Sequence, residues 1–205
     1  MNKNSIRIIG GKHRGRKIPI LPNSPIRPTS DRVRETLFNW LMHDIANARV
    51  LDLFTGSGAI SIEALSRGAS FVLFNDSNKK NIDHINGVFQ TLNIQPVNFK
   101  SSCSDTLKLL QQKPSDLKLE PFDIIILDPP FNKDFINTSL DLIIQNNWLN
   151  TNAHKQSLIY LEAEKEFDTN TINSINMGHF SVLKQKSTGN VFYGLLKLNK
   201  SKSDI

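Results

Sequence analysis

The most chemically specific stretch of this chain is short. Ile124, Ile125, Ile126 and Leu127 have the composition of a buried strand, and the run ends abruptly at Asp128, Pro129, Pro130 and Phe131. The prolines have no N–H and a fixed φ, so they cannot extend a ladder. Each residue ahead of a proline is held extended. The outcome is a stiff segment that presents carbonyl and carboxylate acceptors with no donors beside them. A flat ligand with an exocyclic amine suits such a site. Asp128 and a proline carbonyl accept its two N–H groups, the nitrogen lone pair is drawn out of conjugation toward an electrophile, and Phe131 stacks on the ring. A plain strand-ending turn explains the same residues when they are taken alone.

A second constellation supplies the electrophile. Asp52-Leu53-Phe54-Thr55-Gly56-Ser57-Gly58 follows the first strand of an alternating strand–helix series. Gly56 and Gly58 remove Cβ atoms where backbone must turn sharply and approach a ligand. Asp76 ends the next strand, where a carboxylate can accept hydrogen bonds from both hydroxyls of a ribose. Ribose alone does not separate NAD from S-adenosylmethionine (SAM). The NAD fingerprint wants Gly or Ala where this chain has Ser61. Asp52 inside the pocket would repel a pyrophosphate and tolerate the cationic SAM. With the acceptors of Asp128–Phe131, the pattern describes methylation of a nucleobase amine, and it calls for no metal.

The elements that must position these residues read as α/β. Ile6–Ile9 and Ile18–Leu21 are strands flanking a Gly-rich basic turn, followed by a Pro-rich connector. Thr29 or Ser30 caps a helix in which Val33, Leu37, Trp40, Leu41 and Ile45 share a face. Strands are expected over 49–54, 71–76, 96–102, 122–128 and 157–164. Helices follow after Gly58, through 81–92, around Leu107–Leu110 and over 135–149. Two alternating runs split by Thr188-Gly189-Asn190 signal a closing hairpin. This order predicts a Rossmann-like, doubly wound, mostly parallel sheet of seven strands with a C-terminal antiparallel hairpin. The expected organisation is a basic N-terminal hairpin extension (1–28), a catalytic domain (29–200) and a short tail (201–205).

Charge is concentrated at one end. The chain of 205 residues has formal net charge +6, yet residues 1–34 hold nine Lys or Arg against one acid, Asp31. Lys12, Arg14, Arg16 and Lys17 lie in the turn GGKHRGRK, read as flexible, and Arg32 and Arg34 open the first helix. A local basic surface of this kind suits a polyanion such as nucleic acid. No apolar run approaches the ~20 residues that span a membrane, and MNKNSIRIIGG lacks a secretory h-region. Cys103 is the single cysteine, so no intramolecular disulfide forms and no zinc spacing exists. It reads as a small buried residue rather than a nucleophile. A cytoplasmic monomer is expected.

These motifs carry a resemblance. RIIGGKHRGRKIPI, RPTSDRVRETLFNWL, RVLDLFTGSGAISIEALSRGA, DPPF, NNWL and LIYLEAE together resemble the RsmD family of bacterial 16S rRNA guanine-N2 methyltransferases, which are class I SAM-dependent enzymes. The resemblance runs over roughly residues 6–196. It implies transfer of a methyl group from SAM to the N2 amine of one guanine in 16S rRNA of the small ribosomal subunit, assembled or nearly so. The family's methionine-binding loop falls on Asp52, Phe54, Gly56 and Gly58, its ribose acid on Asp76 and its amine clamp on Asp128–Phe131. The residue that reads the SAM adenine is Ser102 or Asp105. Departures are Asp76 and Asn78 where Glu and Asp are common, and His13 where Trp is common. The rivals are an adenine-N6 methyltransferase on RNA or DNA and a non-catalytic rRNA-binding assembly factor.

Overall fold

A computed structural model describes residues 5–21, 29–130, 135–151, 156–164 and 178–199. The chain divides into two compact units, Met1–Thr106 and Leu107–Ile205.

In the first unit, β1 (Ser5–Arg7) pairs antiparallel with β2 (Lys17–Pro19), Ile6 opposite Ile18. Ile6, Ile8 and Ile18 are buried, while Lys12, Arg14, Arg16 and Lys17 are exposed. That alternation makes a small sheet with one core face and one charged face. Helix α1 (Asp31–Trp40) starts at Ser30, whose side chain accepts from the Val33 N–H at 3.3 Å. Its buried face is Val33, Arg34, Leu37 and Phe38, and Leu41 and Ile45 extend it. Trp40 is only half-buried, because the i, i+4 row through Arg34 and Phe38 flanks the Val33–Leu37–Leu41–Ile45 row.

Three parallel strands follow: β3 (Arg49–Asp52), β4 (Phe71–Asn75) and β5 (Phe99–Ser102), in the order β5-β4-β3. Helices α2 (Ala59–Ser66) and α3 (Lys79–Thr91) connect them. Val50, Leu51, Val72, Leu73 and Phe74 are buried, the near-continuous apolar reading of a sheet covered on both faces. β3 ends two residues before the expected boundary because the Leu53 carbonyl turns to side chains, accepting from Asn75 Nδ2 at 3.2 Å and Thr106 Oγ1 at 2.9 Å. Pro96–Asn98 forms a 3₁₀ turn instead of strand, since Pro96 has no ladder donor.

The second unit contains α4 from Leu107 onward (the helix spans Thr106–Leu110), β6 (Ile124–Leu127), α5 (Phe135–Gln145), β7 (Leu158–Glu164), β8 (Phe180–Thr188) and β9 (Val191–Leu198). Its strand order is β6-β7-β9-β8, with β6 and β7 parallel and β7–β9 and β9–β8 antiparallel. The closing hairpin turns at Gly189-Asn190, where Gly189 has φ +60°. α5 stops at Gln145, short of the expected 149, with Asn147 in the left-handed region at φ +56°, a common helix-ending device. Trp148 then buries its ring, and its Nε1–H donates to the Leu110 and Gln112 carbonyls at 3.1 and 2.9 Å. Strands β3–β9 are those of the seven-stranded, mostly parallel α/β sheet read from the sequence. Among the described residues no helix is long and apolar enough to cross a membrane.

Candidate active site

The turn after β3 is built around Asp52. This carboxylate is 2% exposed. Its Oδ2 accepts from the Thr55 hydroxyl at 2.9 Å and the Ser61 hydroxyl at 2.6 Å. Burial pushes its pKa up to about 6, against those hydroxyl bonds and with the nearby Asp76 adding to the rise. The donors around Asp52 are neutral, so a ligand cation placed beside it would stabilise its charged form. Gly56 and Gly58 have φ +54° and +75°, the left-handed region that glycine enters without strain. A Cβ on Gly58 would stand 2.7 Å from Ile85 Cγ1 of α3. Ser61, the residue that breaks the NAD fingerprint, is thus the one that braces the acid. Phe54 is half-buried in the same turn.

The second acid joins this turn to β4. Asp76 Oδ2 accepts from the Gly56 N–H and from Asn81 Nδ2, each at 3.0 Å, and Oδ1 accepts from the Asn78 N–H at 2.8 Å. Asn78 also N-caps α3. A carboxylate offers about four acceptor sites, so Asp76 keeps capacity for a hydroxyl. Asn75 was not among the residues expected at the site. Fully buried, it donates to the Leu53 and Ser104 carbonyls and to Thr106 Oγ1, and accepts from the Ser104 hydroxyl at 3.0 Å. Its signal was an amide closing the apolar run FVLFN. Through Asn75 the ends of β3 and β4 and the turn after β5 form one unit. Ser102 Oγ lies 3.0 Å from Ser104 Oγ, and Asp105 is exposed beside them. Cys103, expected to be buried, is exposed: the turn carries it outward.

In the second unit β6 ends at Leu127 and delivers Asp128, half-buried, then Pro129, buried, and Pro130, exposed. Phe131 lies outside the described residues. Asp128 and Glu162 each follow the paired residues Leu127 and Leu161. Glu162, which the sequence reading passed over, is 6% exposed and accepts from the Tyr160 hydroxyl at 2.8 Å. Burial pushes Glu162 up to about 7, while the Tyr160 bond acts to lower it. Burial also drives the Tyr160 phenol well above its usual range, with Glu162 and then Asp128 adding negative charge. The signal for this pair was Tyr and Glu at i, i+2 within the strand LIYLEAE, which places them on one face.

Of the basic residues singled out, Lys12, Arg14, Arg16, Lys17 and Arg32 are exposed. Arg34 is not. It is 0% exposed, 2.6 Å from Asp31 and 3.5 Å from Glu63, so its guanidinium serves the interior and is withdrawn from the set that meets a polyanion. Its place on the buried face of α1, one turn before Leu37 and Phe38, was the overlooked sign.

The family model described as conserved hypothetical protein 95 matches residues 6–197. The chain is 41% identical over 196 residues to the ribosomal RNA small subunit methyltransferase D of Haemophilus influenzae, covering 94% of each. The Escherichia coli protein of the same name is 39% identical over 194 residues, with 93% of this chain and 88% of that one covered. The chain belongs to this family, the RsmD family. The solved structure of yhhF from Escherichia coli matches with a TM-score of 0.81 at 35% identity, covering 96% of this chain and 99% of that one. The fold of this RsmD-family chain is that of a class I methyltransferase, and its cofactor is SAM. The residues after β3 and β4 fit that cofactor: a glycine turn without Cβ atoms, a buried acid among neutral donors and a second acid with acceptor capacity.

Proposed function

We propose that this RsmD-family protein methylates the exocyclic N2 amine of one guanine in 16S rRNA, acting as a cytoplasmic monomer on the small ribosomal subunit or a late assembly intermediate. The observation that carries the reading is the identity along almost the whole of both chains with a small subunit rRNA methyltransferase.

SAM supplies a methyl group on a positively charged sulfur. Asp52 would accept from the ammonium of its methionine part, Gly56 and Gly58 would admit the ligand to the backbone, and Asp76 would accept from a ribose hydroxyl. Ser102 or Asp105 takes the adenine. Asp128 and the Pro129 carbonyl hold the two N–H groups of the target amine, which leaves the lone pair aimed at the methyl carbon. As nitrogen gains its fourth bond, the bond between the methyl carbon and sulfur would break with its electron pair passing to sulfur, leaving neutral S-adenosylhomocysteine. Asp128 would stabilise the positive charge on nitrogen, the electrostatic contribution that usually dominates such steps, until one N–H proton is lost to water. Phe131 stacks on the base, which must leave its helical stack to be reached. Lys12, Arg14, Arg16, Lys17 and Arg32 contact phosphates; such contacts position the substrate without reading sequence.

The test is a nucleoside assay. Small subunits from cells lacking the enzyme are incubated with methyl-labelled SAM, the rRNA is digested and the labelled nucleoside is identified. Label in N2-methylguanosine supports the proposal. Label in N6-methyladenosine would keep the amine clamp and replace the base. Absence of label, with SAM bound, would point to the non-catalytic assembly factor or to another substrate.

A further inference from the structure

Glu63 takes no part in the cofactor turn, although it lies on α2 only two residues beyond Ser61. Residues two apart on a helix point about 200° apart, so Ser61 faces Asp52 while Glu63 faces the N-terminal hairpin. Glu63 is 0% exposed. Its Oε2 accepts from the Ile9 N–H at 2.8 Å, and its Oε1 from the Gly10 N–H at 2.7 Å and Arg67 Nε–H at 2.8 Å. Arg34 Nη1 lies 3.5 Å from Oε2, while Arg34 Nη2 donates to the Arg7 carbonyl at 3.0 Å.

One turn along α2, the Ser66 hydroxyl donates to the Gly10 carbonyl at 2.6 Å and accepts from the His13 N–H at 2.9 Å. The Ser66 carbonyl accepts from the Lys12 N–H at 2.7 Å. The segment from Arg7 into the start of the basic turn is therefore bonded at successive backbone groups to α1 and α2. The glycine pair records how closely it is pressed there. A Cβ on Gly10 would stand 2.5 Å from the Arg67 guanidinium, and one on Gly11, at φ +74°, would overlap the Ser66 carbonyl.

A buried ion cluster of this kind is a poor way to gain stability, because desolvation offsets the Coulomb attraction. It is a good way to impose a single geometry on a backbone. We infer that Glu63 is a positioning residue for RNA, holding the turn Lys12–Lys17 in one pose so that its cations meet phosphates already arranged. The turn is a braced element, contrary to its reading as a flexible one. Association then orders fewer groups and loses less entropy. The inference rests on the reading of the hairpin as an RNA-binding surface.

The test uses the full chain carrying Glu63→Gln, and separately Gly11→Ala, which leaves every charge of the cluster in place. For each, amide hydrogen exchange at Ile9, Gly10 and Lys12, SAM affinity and affinity for unmethylated small subunits over a salt series are measured. The expected result is faster exchange at those amides and about tenfold weaker subunit binding. SAM affinity and the slope of binding against salt stay unchanged, because no phosphate-contacting cation is lost. Unfolding of Glu63→Gln would move SAM affinity as well, and Gly11→Ala then decides. Amides that stay protected in both variants, or that exchange faster with subunit affinity intact, would overturn the inference. Neutralising Lys12, Arg14, Arg16 and Lys17 together separates the two levels. If that variant binds subunits weakly while Glu63→Gln and Gly11→Ala bind normally, only the role of Glu63 fails. If it too binds normally, the RNA-binding reading fails with it.

Discussion

Asp52 and Glu63 are both buried carboxylates, one hydrogen-bonded to helix α2 and the other on it, and they meet opposite kinds of partner. Glu63 meets two arginines and two backbone N–H groups; its charge is answered within the protein. Asp52 meets hydroxyls, which orient it without neutralising it, and burial lifts its pKa to about 6. An acid answered by the protein's own cations is structural. An acid held by neutral donors keeps its strongest interaction for a ligand. By the same criterion Asp76, bonded to amide N–H groups, belongs with Asp52.

The largest expected effect falls on the clamp in the other unit. Asp128→Ala should lower kcat by about 10²–10³-fold, the scale of losing one preorganised electrostatic partner of a reacting group, with SAM affinity unchanged by calorimetry. Loss of both together would place Asp128 with the cofactor acids. Next, Asp52→Asn should weaken SAM by about 10–100-fold, since a hydrogen bond to a charged group is removed. The pH dependence tests the contrast directly. Because the folded-state pKa of Asp52 lies above its unfolded value of 3.8, at about 6, this group favours the ligand-free fold increasingly as pH falls through that window. The same protonation removes the partner of the SAM ammonium. SAM affinity should therefore be flat above pH ~6.5 and fall toward tenfold per unit below ~5.5, and Asp52→Asn should abolish that slope. A profile flat to pH 5 would mean that Asp52 carries no cation.

A smaller effect is expected at Asp76, where removal of the ribose acceptor in Asp76→Ala should cost about tenfold in SAM affinity. An unchanged affinity would make its bonds to Gly56, Asn78 and Asn81 its whole purpose. The smallest concerns the hairpin. Arg14→Ala should weaken subunit binding only a few-fold and lower the magnitude of the log–log salt slope by about 1. Steady-state binding at several salt concentrations reads both.

The apolar runs of β3, β4, β6 and β7 were legible because strands buried on both faces admit little else. Asp52, Asp76 and Asp128 were legible as candidate sites because each ends or directly follows such a strand. What escaped was the polar interior. Arg34 looked like a phosphate contact because charge alone says nothing about which face of α1 it occupies. Asn75, Glu162 and Tyr160 looked like ordinary strand residues.

The sequence by itself determined the order of elements and the class of sheet, and it nominated a cofactor turn and an amine clamp, because periodicity, glycine, proline and strand-end acids act over a few residues. Only the tertiary structure decided which buried charges were already answered. Glu63 reaches Ile9 and Gly10 across more than fifty residues, and Asn75 gathers Leu53, Ser104 and Thr106. A hydrogen bond is specified by angle and distance between two groups in space. Separation along the chain leaves no trace of it until folding brings the partners together.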